Sequence, residues 1–275
     1  MRLFRIPILG ILILLLSSCT KEQVTLEPSE VLKRSIIKSS SVESVTISAS
    51  AFLILKGYTS FSGSAVVQGV VRGSGGWAAD VTFQGRDSLG KGGFESGNFS
   101  ALSVDGSQIF LKPTSLQGPV LSAYAQTLSG SINGWWVTGE PSPETHSGRH
   151  TLSPQELKET ASLFDVRAMT GPAMYSSVKR AYQLSVVVKP DAVSSLFADA
   201  AKDNTVVSGT LWIDAKDFSL LRASWNLRDV FTQIGPADIS FDVTFSDYGR
   251  SKEIIPPTGS ASVLPLNGVF ATIFH

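Results

Sequence analysis

The chain has 275 residues, which is room for one large domain or two small ones. Hydrophobic residues make up 43% and charged residues 17%, so the chain forms a packed core and is not disordered. The 23 Lys and Arg balance the 23 Asp and Glu, which argues against a nucleic-acid binder, because such a protein needs a basic surplus to displace counterions from phosphates. A single cysteine excludes an internal disulfide and a cysteine-based zinc site. Three histidines in no catalytic pattern argue against an enzyme.

The first eighteen residues have the pattern of a secretory leader. Arg2 and Arg5 precede an apolar run of eleven residues from Ile6 to Leu16. A helix needs about 20 apolar residues to cross a bilayer. The run is therefore too short to span one and is typical of a leader.

The segment Leu16-Ser17-Ser18-Cys19 contains the only cysteine of the chain. It resembles the lipobox of bacterial lipoproteins, in which a diacylglyceryl group is attached to the cysteine and cleavage precedes it. The resemblance implies a mature chain that begins at Cys19 and is anchored stably by two or more acyl chains. We therefore expect a signal peptide over residues 1–18 and a polar tether over 19–28. The protein would lie in the cell envelope, anchored to the outer face of the cytoplasmic membrane or to the outer membrane.

A helix is predicted over residues 29–39. Ser29 is placed to cap it and Glu30 lies in its first turn. Four apolar residues fall on one face of this helix and predict the side that packs against the core: Val31, Leu32, Ile36 and Ile37.

From Val45 onward, apolar and polar residues alternate, which is typical of antiparallel strands with one covered and one solvated face. Glycine-rich segments separate these strands and predict turns. The first meander is predicted to place these residues on its covered face: Val45, Ile47, Ala49, Ala51, Leu53, Leu55; Phe61, Gly63, Ala65, Val67, Gly69, Val71; Trp77, Ala79, Val81, Phe83. Further strands are predicted over 93–104 and 108–112.

The middle of the chain predicts two helices and a short strand. The first helix runs over 118–128, and Trp135, Trp136 and Val137 form the strand. The second helix begins at the capping box of residues 153–156 and directs Leu157, Ala161 and Phe164 inward.

A second meander with an inserted helix follows. The helix starts at Pro190 and carries Val193, Leu196, Phe197 and Ala200 on its apolar side. The strands are predicted to direct these residues inward: Val178, Arg180, Tyr182, Leu184, Val186, Val188; Val207, Gly209, Leu211, Ile213; Leu221, Ala223, Trp225, Leu227; Ile239, Phe241, Val243, Phe245.

About ten or eleven strands and four helices predict an α+β, mainly β fold. The expected architecture is a single curved antiparallel sheet, an open half-barrel, with helices covering its concave side. One domain is expected over residues 29–257, because neither half has enough helices to cover its own sheet. Residues 258–275 are predicted to form an irregular C-terminal tail.

Small residues are frequent on the covered face of the first strands. Where rigid helices meet a curved sheet, small side chains leave room that an apolar ligand would fill. Burying about ten methylenes would contribute roughly 8 kcal/mol gross, partly offset by lost chain freedom. The alternative is that these small residues only permit tight packing or strong curvature. The predicted ligand-binding residues are a floor of Ala49, Ala51, Ala65, Val67, Ala79, Val81 and Phe83 and a lid of Leu157, Ala161, Phe164, Val193, Leu196 and Phe197.

Several short motifs resemble the LolA/LolB- and LppX-like lipoproteins. Residues 207–214 contain Gly-x-x-Trp-x-Asp, and 216–222 follow as a strand ending in Leu-Leu-Arg. Residues 243–249, with Pro256 soon after, resemble the last strand of that family, and residues 133–136 resemble its Asp-Gly-Lys-Trp strand. The resemblance implies a half-barrel of about eleven strands with a helical lid over an apolar cavity that carries lipid or acylated molecules. The glycine-rich first strands and the tail after Pro257 depart from the family pattern.

Other candidate sites have simpler interpretations. His146 and His150 have the i,i+4 spacing of metal ligands, but Ser-Gly between them argues against a helix, so no metal site is predicted. Asp214 and Asp217 are expected to form a turn. No Gly-x-Ser-x-Gly motif supports an esterase. We therefore expect a non-enzymatic lipoprotein, without cofactor, that binds a lipid or acyl chain for carriage across the envelope. The alternative is a structural lipoprotein with a filled core that holds an envelope protein partner.

Overall fold

The computed structural model describes residues 26–56, 61–87, 94–104, 109–118, 134–138, 164–176, 178–189, 205–232, 235–250, 253–258 and 262–264. These residues form one helix, α1 (Pro28–Ser40), and one sheet of twelve strands. The strands are β1 (Ser44–Leu55), β2 (Phe61–Arg72), β3 (Trp77–Asp87), β4 (Phe94–Ser103), β5 (Phe110–Gln117), β6 (Trp136–Thr138), β7 (Phe164–Met174), β8 (Arg180–Val188), β9 (Val206–Asp214), β10 (Leu220–Thr232), β11 (Gly235–Ser246) and β12 (Ser262–Leu264).

The sheet is open and its ten long strands are antiparallel. The order is β12-β6-β5-β4-β3-β2-β1-β11-β10-β9-β8-β7, so β12 and β7 are the two edges. Each long strand pairs with its neighbour in sequence, except where β1 pairs with β11 and joins the two meanders. β12 is parallel to β6. The prediction of a single, mainly β, antiparallel sheet is confirmed.

Two strands lie where the sequence predicted other structure. Phe164 was expected in a helix, but it begins β7, which pairs with β8. β12 lies within the segment expected to be an irregular tail. The other predicted helices (118–128, the part of the second helix before Phe164, and 190–200) lie outside the described residues, so helical cover of the concave side is not confirmed.

The register aligns the predicted apolar faces of neighbouring strands. Ile47 lies opposite Phe245 on β11 and opposite Gly69 on β2. Gly69 in turn lies opposite Ala79 on β3, and Ala79 lies opposite Ala101 on β4. We call this side of the sheet the inner face. Because the side-chain period of a strand is two, most polar residues of the same strands lie on the other side, the outer face. Glu95 and Ser103 of β4 are exceptions and share the inner face with Ala101.

Helix α1 covers the β7–β10 part of the inner face. Its buried residues are Val31, Leu32 and Ser35. The main core cluster consists of Val31, Leu32, Tyr182, Leu184, Val186, Leu211, Ile213 and Ala223. A second cluster on the same strands consists of Val188, Val207, Leu227 and Val230. The core therefore lies on β8–β10.

Two details of α1 differ from the prediction. Ile37 is 44% exposed, because at 3.6 residues per turn it lies off the stripe that Val31, Leu32 and Ser35 form. The N-cap is Glu27 rather than Ser29, with Pro28 in the first turn and no side-chain capping bond.

The turn between β9 and β10 confirms the predicted role of its two aspartates. The Asp214 carboxylate accepts a hydrogen bond from the Lys216 amide at 2.8 Å, and the Asp217 carboxylate accepts one from the Ser219 amide at 3.0 Å. Both bonds span two residues, as in Asx turns. Phe218 has a φ of 62° in this turn. Its ring stacks on Tyr182, and the guanidinium of Arg34 on α1 lies over it, so the turn and the helix are held together.

Candidate functional site: an apolar groove

The two halves of the inner face are buried to different degrees. In the β7–β11 half, β8–β10 carry most of the core. Among the described residues of β1–β5, Ala101 is the only buried apolar residue, at 5% exposure. Inner-face residues such as Ile47, Val67 and Val81 are only half-buried. The β1–β5 half therefore keeps an apolar surface that the described part of the chain does not fill.

A groove of about 530 Å³ lies on this surface. This volume is within the range of about 300–1,000 Å³ of small-molecule sites. All five strands, or residues next to them, contribute to its wall, and every lining residue is aliphatic or aromatic: Ile47, Val67, Val70, Val71, Trp77, Ala78, Ala79, Val81, Phe99, Ala101, Ile109 and Leu111. Most of these alternate onto the inner face, in register from β1 to β5.

The two ends of the groove differ. Towards one end, the ring of Phe83 lies across Gly97, where a Cβ atom would be 2.6 Å from a ring carbon. Phe83 also contacts Phe99, with ring centroids 6.1 Å apart. At the other end, Val71 and Trp77 are cross-strand partners beside the β2–β3 turn, and Val71 is 39% exposed. The groove is thus bounded by aromatic rings at one end and reaches solvent at Val71.

Small inner-face residues have two roles. On β9, Gly209 lies under the ring of Trp225, and a Cβ atom would be 2.7 Å from that ring. There the missing side chain permits tight packing. On β3 and β4, Ala79 and Ala101 instead line the groove. Tight packing therefore accounts for Gly209, whereas Ala79 and Ala101 border open apolar space.

The structure divides the predicted floor into two sets. Val67, Ala79 and Val81 line the groove. The other predicted floor residues share the inner face but are not among its lining residues: Ala49, Ala51, Ala65 and Phe83.

Of the predicted lid, only Phe164 is described, and it is not a lid residue. It packs against both core clusters from β7, on the opposite half of the sheet from the groove. The remaining lid residues, Leu157, Ala161, Val193, Leu196 and Phe197, lie outside the described residues, as do Cys19, His146 and His150.

Sequence reasoning missed part of the groove wall. Val71 and Trp77 were placed on the correct face but not in the site, although they continue the alternation of Val67 and Val81. Phe99 and Leu111 belong to β4 and β5, whose faces were not assigned. The register between β4 and β5 shifts because Asn98 and Phe99 lie opposite Ser115 and Pro113, which leaves Thr114 as an extra residue and interrupts the alternation of β5.

Two pairs of oppositely charged residues lie on the outer face of the sheet. Lys56 contacts Asp238 at 2.6 Å. This hydrogen bond lowers the pKa of Asp238 and raises the pKa of Lys56. Arg222 donates from Nε and Nη2 to the Asp242 carboxylate, which raises the pKa of Arg222. Within the described ranges, no group of three or more His, Cys, Asp or Glu could hold a metal ion, and no helix is long and apolar enough to span a membrane.

The fold and the groove define a mainly β protein with an open antiparallel sheet and an apolar site on one half of it. No protein-family model matches the chain, and no curated protein matches it. Similar solved structures include a LolA superfamily protein from Nitrosomonas europaea (11% identity, 84% of this chain and 96% of that chain, TM-score 0.24). A second is a protein from Vibrio parahaemolyticus described as an outer membrane lipoprotein-sorting domain (11% identity, 80% and 91%, TM-score 0.19).

A third similar structure is a β-barrel-like protein of a domain family of unknown function from Brucella abortus (12% identity, 74% of this chain and 98% of that chain, TM-score 0.30). The LolA superfamily, which the sequence motifs resemble, is thus represented among the similar structures.

Proposed function

We propose that this protein binds the hydrocarbon chain of a lipid or an acylated molecule in the groove on β1–β5. The observation that carries the proposal is the half-buried apolar face of these strands, with its groove of about 530 Å³ lined by aliphatic and aromatic side chains. Apolar surface left in contact with water is unfavourable, and a hydrocarbon chain would remove it from water. Burial of about ten methylenes contributes roughly 8 kcal/mol gross, part of which is lost to ordering of the ligand.

We further propose that the protein is a lipid-anchored component of the cell envelope that carries or transfers its ligand without catalysing a reaction. The support is the lipobox-like segment ending in Cys19 and the leader pattern before it. Replacement of Cys19 by Ser is expected to move the protein from the membrane fraction to the soluble fraction. A variant that stays in the membrane fraction would contradict anchoring through this residue.

Uptake of a fluorescent polyene fatty acid, cis-parinaric acid, tests the groove. The full-length chain carrying Cys19→Ser is delipidated and titrated with the probe. Val81→Phe places a ring between Val67 and Phe99, the cross-strand neighbours of Val81, and is expected to weaken uptake at least about tenfold. Thr82→Phe is the matched control, because Thr82 adjoins Val81 but lies exposed on the outer face. It is expected to leave uptake unchanged.

The outcomes separate the two functions considered. No probe uptake by the parent chain, together with no co-purifying lipid in native mass spectrometry, would overturn the proposal. Equal uptake by the two phenylalanine variants would place binding elsewhere. Unfolding of the Val81→Phe variant, with Thr82→Phe folded, would favour a structural lipoprotein with a filled core.

A further inference from the structure

The groove is lined by aliphatic and aromatic side chains along its whole described wall, and no charged residue of the same strands is among its lining residues. Asp80, for example, lies between the lining residues Ala79 and Val81 in sequence, but on the outer face, where its carboxylate accepts a hydrogen bond from Ser100. Arg222 and Asp242 pair with each other on that same outer face. The lining side chains therefore offer a buried ligand no counter-charge, and the indole N–H of Trp77, at the Val71 end, is the only hydrogen-bond donor among them.

A charged or strongly polar headgroup would lose its hydration in such a groove without compensation. Burial of an unpaired ionised group is far more costly than the gain from burying a few methylenes. The favourable arrangement keeps the headgroup in water and buries only the chain.

The structure also indicates where the headgroup lies. The rings of Phe83 and Phe99 bound the groove at one end. At the other end Val71 lines the groove and is 39% exposed. A chain inserted in the groove therefore leaves its polar end beside Val71.

Resting on the function proposed above, we propose that the groove selects its ligand by the hydrocarbon chain and not by the headgroup, which stays in water next to Val71. The ligands are then amphiphiles that have one accessible hydrocarbon chain, whatever their headgroup. Carboxylate, alcohol and zwitterionic amphiphiles with equal chains bind alike.

Displacement of cis-parinaric acid from the delipidated full-length Cys19→Ser chain measures this selectivity. Decanoic, dodecanoic and tetradecanoic acids vary the chain, and dodecanol and dodecylphosphocholine vary the headgroup. We expect affinity to rise by up to about fourfold per added methylene and to change less than about threefold among the three twelve-carbon compounds. A headgroup preference above about tenfold, or no dependence on chain length, would overturn the inference.

A pair of lysine variants tests the position of the headgroup. Val71→Lys places an ammonium at the open end of the groove. Val66→Lys is the control, because Val66 is an exposed valine of the same strand at 46% but is not a lining residue. We compare the ratio of the affinity for dodecanoic acid to the affinity for dodecanol. At low ionic strength, Val71→Lys is expected to raise this ratio about 1.4- to 5-fold over the parent chain, the range of an exposed ion pair. Val66→Lys is expected to leave the ratio unchanged.

The results distinguish this inference from the proposed function. If no amphiphile displaces the probe and the probe itself does not bind, the proposed function fails. If amphiphiles bind with a strong headgroup preference in the parent chain, or if the two lysine variants give the same ratio, chain binding stands and only the present inference fails.

Discussion

Two valine-to-alanine substitutions test whether the halves of the inner face differ energetically. Val186 on β8 is fully buried in the cluster that α1 covers. Val81 on β3 is half-buried and lines the groove. The substitution is the same and both sites are on strands inside the sheet, so the change in intrinsic strand preference largely cancels in the comparison.

The expected costs follow from burial. Val186→Ala removes two methyl-sized groups from a dry core, about 1.6 kcal/mol of transfer free energy at roughly 0.8 each. The cavity left behind adds to this, for a total loss of roughly 2–3 kcal/mol in the free energy of unfolding. Val81→Ala is expected to cost less than about 1 kcal/mol, because part of the Val81 side chain already contacts water in the folded protein.

Urea unfolding of the delipidated Cys19→Ser chain, followed by tryptophan fluorescence and circular dichroism, measures both values. The comparison requires that the parent and both variants have the same m-value, the slope of the free energy of unfolding against urea concentration. With excess dodecanoic acid, the parent chain is expected to gain stability by ligand binding. Equal losses for Val81→Ala and Val186→Ala without ligand would refute the reasoning, because they would mean that β1–β5 packs as tightly as β8–β10.

Two further predictions concern single contacts. Gly97→Ala places a Cβ atom 2.6 Å from a carbon of the Phe83 ring and is expected to cost about 1–3 kcal/mol of stability. Phe83→Leu is expected to relieve part of this loss, and strictly additive losses in the double variant would contradict the contact. Lys56→Met is expected to raise the pKa of Asp238 in an NMR titration, because the Lys56 hydrogen bond lowers it. The folded-state pKa of Asp238 lies below its unfolded value, so the Lys56–Asp238 pair stabilises the fold at pH values above the unfolded pKa of about 3.9. This stabilisation is lost as the pH falls through the folded-state pKa. An unchanged Asp238 pKa in the variant would contradict the role of Lys56.

Much of the sheet is predictable from local patterns. The alternation of Ile239, Phe241, Val243 and Phe245 with polar residues identified β11 and its inner face, and the register confirms both. The aspartates of the β9–β10 turn were predictable because an Asx turn needs only the side chain and the backbone two residues on.

The errors occur where local signals are interrupted or compete. The strand β7 was missed because the strong capping box at residues 153–156 extended the predicted helix to Phe164. Gly171 and Pro172 also interrupt the alternation, and the β7–β8 register shifts there. Phe83 lies on the predicted face of β3, but its position over Gly97 depends on the neighbouring strand and could not be predicted from alternation.

The sequence by itself determined which side chains share a face of the sheet, because the period of a strand is a property of the local backbone. Only the tertiary structure decided which part of that face becomes core. Helix α1 packs its buried residues onto β8–β10, and the pairing of β1 with β11 extends the same apolar face beyond the helix. A residue's burial depends on what packs against it from distant parts of the chain. For that reason Val186 lies in the buried core and Val81 lines an open groove, although both follow the same alternating pattern.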